Sequence, residues 1–239
     1  CFDNGNIWTS DVYVESLGKL FKLNQSGELI DSLNIDWAGS WIADVEATDD
    51  FLYMVEVDPS GDNGIKKVNK TTGELVTSIT GEFSNDGSDV SQALAYDKVN
   101  DEFWVGGWFH DAIYHVDNQG NTISTISTTG KGFHDVTGLA WHPAGNNGKG
   151  SLFVVARNPY KIYELQAETG EVLQSFDTYN NSNMNGLSVD DNGNLWLASM
   201  TESSIYNLES GVDMGSSSSA PEWLTADMLS GELAPEATA

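Results

Sequence analysis

The chain has 239 residues, with 36 Asp or Glu against 10 Lys or Arg, a formal net charge of −26. An excess of this size repels nucleic-acid phosphates and anionic lipid headgroups, so neither is an expected partner, and hydrophobic residues at 39% with aromatics at 10% exclude a disordered chain. No apolar run approaches the roughly 20 residues that span a bilayer, so no membrane insertion is expected, and a single cysteine, Cys1, excludes a disulfide framework.

In chain order, one unit recurs five times. The first opens on Cys1-Phe2-Asp3, which matches only the end of an inner strand, and continues with an aromatic-centred strand at Ile7-Trp8. A third strand follows at Leu20-Phe21-Lys22-Leu23, and a fourth at Leu29-Ile30-Asp31-Ser32 after a turn at Gly27. The second unit repeats this with Leu52-Tyr53, Ile65-Lys66-Lys67-Val68 and, after Gly73, Leu75-Val76-Thr77-Ser78. The third begins with a complete inner strand, Ala93-Leu94-Ala95-Tyr96-Asp97, then Phe103-Trp104, Ile113-Tyr114-His115-Val116 and, after Gly120, an alternating run from Asn121 to Thr125. The fourth has Gly138-Leu139-Ala140-Trp141-His142, Leu152-Phe153, Ile162-Tyr163-Glu164-Leu165 and, after Gly170, a run from Glu171 to Ser175. The fifth has Gly186-Leu187-Ser188-Val189-Asp190, Leu195-Trp196 and Ile205-Tyr206-Asn207-Leu208, with no recognisable fourth strand.

Four short strands joined by Asp/Asn/Gly turns at a period of about 40–50 residues predict the blades of a β-propeller. A lone blade cannot cover both its faces, whereas radial stacking buries each against a neighbour. The expected fold is all-β, with about five recognisable four-stranded blades over residues 1–215, the first and last incomplete. An incomplete first and last blade predict that the ring's open edges are covered by another chain, a separate part of the polypeptide, or the tail. Cys1 is read either as a truncation point or as a lipidated terminus.

Residues 216–239 form a Ser-rich linker followed by a module start or closing tail. Pro221-Glu222-Trp223-Leu224 and Ser230-Gly231-Glu232-Leu233-Ala234-Pro235 resemble the opening of the immunoglobulin-like modules found in large secreted bacterial proteins. The repeating unit itself, from Gly-Leu-Ala/Ser-x-Asp/His through Leu-Trp and Ile-Tyr-x-Leu to Thr-Gly-Glu-Val/Leu-x-x-Ser, resembles the blades of bacterial NHL-type, streptogramin-lyase-like and quinoprotein-like propellers. The resemblance implies the fold but no catalytic residue, since the matching positions are those that build blades.

Ligands of propellers meet the face made by the loops from the fourth strand of one blade to the first of the next and from the second strand to the third within a blade. The repeat places there Trp37, Trp41, Glu56, Asp58, Asp62, Gln92, Trp108, His110, Asp111, His134, Asp135, Arg157, Tyr160, Tyr179, Asn181 and Met184. Aromatic and polar side chains on a loop surface suit recognition. Each tryptophan is equally readable as packing between blades. Trp37, Trp41, Trp108, His110, Asp111, His134, Asp135, Arg157 and Tyr160 are the expected ligand-binding residues. Arg157, the one arginine in the chain, suits either a carboxylate or sulfate ligand or an internal acidic partner.

No cofactor and no metal site are expected. The alternate oxygens of Asp58 and Asp62 are a minor calcium hint, without the Gly and terminal Glu of an EF-hand. The leading expectation is a non-catalytic recognition, adhesion or spacer domain of a larger secreted or cell-surface bacterial protein. Its ligand would be a protein, peptide or glycan, or another part of the same polypeptide. The alternative is a lyase, lactonase or cyclotransferase whose metal would sit at the channel mouth between His110-Asp111 and His134-Asp135.

Overall fold

The computed structural model describes residues 1–10, 18–38, 41–57, 63–84, 92–108, 111–178, 183–199 and 201–212. These build a five-bladed β-propeller. Blade 1 holds β1 (Phe2–Asp3), β2 (Asn6–Ser10), β3 (Lys19–Asn24) and β4 (Leu29–Asn34), and blade 2 holds β5 (Trp41–Ala47), β6 (Phe51–Val57), β7 (Ile65–Asn69) and β8 (Leu75–Ile79). Blade 3 holds β9 (Ala93–Asp97), β10 (Glu102–Gly106), β11 (Ala112–Asp117) and β12 (Thr122–Ser127), and blade 4 holds β13 (His134–His142), β14 (Ser151–Asn158), β15 (Tyr160–Gln166) and β16 (Val172–Asp177). Blade 5 shows three strands among the described residues, β17 (Met184–Val189), β18 (Asn194–Ser199) and β19 (Ser204–Glu209). Every aromatic-centred segment is a second strand and every Ile-Tyr-x-Leu copy a third strand, as the repeat predicts.

Within each blade neighbours in sequence pair antiparallel. Strands β5, β9, β13 and β17 contact one another in turn around the axis, so the first strand of each blade is innermost. The fourth strands are outermost and mostly exposed. The alternation expected there is broken at one place in each: register shifts leave Ile30, Val76, Ile123 and Leu173 as extra residues, all exposed. A bulge twists an edge strand away from further pairing, which protects a rim that would otherwise template aggregation.

The core is a set of wedges between blades. Blades 1 and 2 share Trp8, Leu20, Ile42 and Met54, blades 2 and 3 share Tyr53, Phe83, Phe103 and Val105, blades 3 and 4 share Trp104, Phe133, Leu152 and Tyr163, and blades 4 and 5 share Phe153, Ile162, Leu187 and Leu197. The seam between blades 5 and 1 is the thinnest: among the described residues only Ile7, Leu23 and Trp196 are fully buried there, with Phe2 stacked on Trp196 at 5.7 Å. The Phe2 amide also donates to Ser188 Oγ at 2.8 Å, and the described blades thus meet in a ring. The 213–239 tail and the module expected within it lie outside the described residues.

The turn between first and second strands carries a repeated clamp. Asp190 accepts from the amides of Asn192 and Asn194, each at 2.9 Å, and from Trp196 Nε1 at 3.0 Å. In blade 1 Asp3 accepts from Trp8 Nε1 at 3.0 Å and pairs with Lys70 at 2.7 Å. Replacing Asp190 with alanine strands a buried indole N–H and frees the turn, at an expected cost of about 2–3 kcal/mol. Urea titration should register it, and part of the loss should vanish in a Trp196→Phe background; equal losses in both backgrounds would refute the clamp.

Candidate functional site

The two-residue-spaced hairpin between β14 and β15 puts Arg157 opposite Tyr160. On the other side of β14, the ladder pairs His134 with Asn158 and Val136 with Ala156, so Asp135 and Arg157 stand between the same two rungs. Arg157 and Tyr160, paired across β14 and β15, share a face and start a row, which Asp135 joins from β13 at the cleft that all three line. Asp135 adopts the left-handed region, at φ 59°. Asp tolerates that conformation better than most residues, and such departures concentrate at ligand sites. The main chain of Tyr160 is tied by Thr178, whose amide and hydroxyl both donate to its carbonyl at 3.3 Å.

From blade 3, the loop after β10 brings Trp108 over this row, with the Arg157 guanidinium 4.8 Å from the indole centroid. Trp108, Asp135, Arg157, Asn158 and Tyr160 line one open cleft of about 440 Å³ between blades 3 and 4, within the range of small-ligand sites. Among the described residues no carboxylate pairs with Arg157, and the cation lies on the Trp108 indole. The carboxylate of Asp135 instead meets His134 Nδ1 at 3.2 Å.

The other expected site residues scatter. His134 is exposed beside the cleft. Asp111 is exposed, its carbonyl accepting from the Thr128 amide at 2.9 Å. Trp37 packs on the wedge between blades 1 and 2 and donates Nε1 to the Gly73 carbonyl at 2.9 Å, which makes it a packing residue. Trp41 begins β5, its side chain lying outside the description, as do His110, Asp58, Asp62, Tyr179 and Asn181 altogether. No group of three His, Cys, Asp or Glu able to hold a metal occurs among the described residues. His115 and His142 are structural, as their positions in the repeat predict. His115 Nε2 meets Glu102 at 2.9 Å under a stack with Trp104, and buried His142 meets the Gly193 carbonyl at 3.2 Å. Burial pushes both imidazoles below their usual range.

Sequence reasoning missed Asn158, and it missed two buried carboxylates near the axis, Asp44 and Glu46 on β5. At the rung of Asp44 the other inner strands carry Ala93, Gly138 and Asn185, and the bulged Gly186 next to Asn185 is the residue that faces the Asp44 carboxylate. Small residues on three sides leave room for one carboxylate, and that pattern was the available signal. Asp44 accepts from the amides of Val45 at 2.9 Å and Leu94 at 3.0 Å, and from that of Leu139, tying three inner strands together. Burial raises its carboxyl to about 7 despite these donors and the Cys1 ammonium. Glu46 has no such amides and feels the Asp44 charge, so burial raises it further, to about 8.

No family model matches the chain, and no curated protein matches it. Solved structures do. A protein of unknown function from Bacteroides caccae is 16% identical with a TM-score of 0.50 over 83% of this chain and 66% of that one. A catalytically inactive virginiamycin B lyase from Staphylococcus aureus, crystallised with quinupristin, is 16% identical with a TM-score of 0.52 over 88% of this chain and 65% of that one. The chain thus spans just under two thirds of the length of these neighbours. At such identities the likeness is one of fold.

Proposed function

We propose that this protein is a recognition domain, secreted or at the cell surface, whose cleft between blades 3 and 4 binds an anionic group of a peptide or glycan. The observation that carries the reading is the Trp108–Arg157 stack. A guanidinium held on an indole, with no carboxylate paired to it among the described residues, keeps its planar fork of donors for a ligand, and bidentate pairing to carboxylate or sulfate is the strongest hydrogen bonding it can make. The acidic excess of the chain supports specificity, because an anionic ligand approaches favourably only where a cation is presented.

The test is an array of carboxylated, sulfated and neutral peptides and glycans probed with the wild-type protein and with Arg157→Ala. Hits should carry a carboxylate or sulfate, and Arg157→Ala should weaken them by about 10- to 100-fold, the worth of a hydrogen bond to a charged group. Neutral hits that survive the substitution would overturn the reading. Turnover of any bound ligand would favour a lyase or lactonase instead.

A further inference from the structure

We infer that the anionic group this cleft takes is the carboxylate of a peptide ending in an aromatic residue, whose ring lies over the open face of the Arg157 guanidinium and against Tyr160. This rests on the anionic-group reading of the same cleft and names the ligand class. Arg157 is exposed, and one face of its guanidinium lies on the Trp108 indole at 4.8 Å. Among the described residues it makes no hydrogen bond and no ion pair. Its edge donors and its second face are both open to a ligand.

Tyr160 stands opposite Arg157 in the β14–β15 pairing, so the two side chains share a face of the sheet. Its ring is half-buried on the cleft wall and, among the described residues, stacks on no other ring and finds no partner for its hydroxyl. A carboxylate alone fills little of a cleft of about 440 Å³. An aromatic ring fills more of it, and its electron-rich face is attracted to a cation. The C–H face of a sugar has no such attraction, so the open guanidinium favours an aromatic ring over a pyranose. Asn158 is exposed on the same wall, with a carboxamide that offers both donor and acceptor. That is the complement of the peptide group preceding a terminal residue.

The experiment titrates the protein, followed by NMR amide shifts, with N-acetylphenylalanine, N-acetylcyclohexylalanine, N-acetylalanine, N-acetylphenylalaninamide, 3-phenylpropanoate and glucuronate. N-acetylphenylalanine should bind about tenfold or more tightly than N-acetylalanine. It should bind about two- to fivefold more tightly than its cyclohexyl analogue, the worth of a cation–π contact at an exposed site. Arg157→Gln should lose that second preference along with about tenfold or more in affinity. Tyr160→Leu should lower the preference for phenylalanine over alanine by about threefold or more, and both variants should melt like the wild type. Equal binding of the phenylalanine and cyclohexylalanine acids, or tighter binding of glucuronate, would overturn the aromatic end and leave the anionic reading standing. Equal binding of 3-phenylpropanoate would assign the site to free aryl acids and overturn the peptide. N-acetylphenylalaninamide binding as tightly as the acid, or no response to any carboxylate, would overturn both readings.

Discussion

Alanine at Gly73 or Gly120 is expected to destabilise the protein by about 3 kcal/mol or more, near the upper end for single substitutions. Both glycines sit in the turn between third and fourth strands, with φ of +75° and +86°. Each also presses its α-carbon against the preceding blade: an added Cβ would lie 2.1 Å from the Asn34 carbonyl oxygen at Gly73 and 2.1 Å from that of Thr80 at Gly120. Relief requires the two blades to separate, because the obstacle is backbone and cannot rotate away. The left-handed φ alone costs an L-residue roughly 1–2 kcal/mol, and the overpacking adds about 1–3 kcal/mol. Gly130 separates the two causes, since it has φ +78° and nothing within 4 Å of an added Cβ. Gly130→Ala should therefore cost only the conformational part. Urea midpoints at constant m-value are the measurement. Gly73→Ala and Gly120→Ala behaving like Gly130→Ala would show that the blades do not meet at these turns.

Glu46→Gln is expected to leave stability unchanged below about pH 4 and to stabilise the protein by about 2 kcal/mol or more at pH 8 and above. Glu46 is raised by burial to about 8 in the folded state from an ordinary 4.5, and Asp44 to about 7 from 3.8. Between those limits the folded protein holds protons that the unfolded chain has released. Stability therefore falls as pH rises from about 4 to about 8, by up to about 1.4 kcal/mol per pH unit for each carboxylate. The groups facing Glu46 are the Cys1 ammonium and Lys98, which favour its charge, and Asp44, which opposes it. His142 and His115 act in the other direction: depressed when folded, they resist charging, so their contribution is present above the usual imidazole value and is lost as pH falls below it. The glutamine variant removes one titration without changing shape, so its pH profile must diverge from the wild type progressively between about pH 4 and about pH 8 and run parallel to it above. Parallel profiles from pH 5 to 9 would mean that Glu46 does not titrate in this range.

The sequence alone determined the architecture, because a blade is made of local patterns that each unit writes out in full. The aromatic at the centre of each second strand, the Ile-Tyr-x-Leu of each third strand and the glycine before each fourth strand recur at a nearly constant period, and the repeats stack by one geometric rule. The same reading located the loop face and, on it, Trp108, Asp135, Arg157 and Tyr160. Only the tertiary structure decided which of the loop residues meet. Trp37 and Trp108 read alike in sequence, yet one donates to the Gly73 carbonyl inside a wedge and the other carries a guanidinium in a cleft. Asp135 and Arg157 lie 22 residues apart, and they reach one cleft only because β13 pairs with β14 in the register that sets His134 against Asn158. The packing duty of Gly73 was invisible for the same reason: it is a contact with another blade. Contacts inside a unit repeat and can be read from it, while contacts between units depend on how far each blade turns about the axis, which no local pattern encodes.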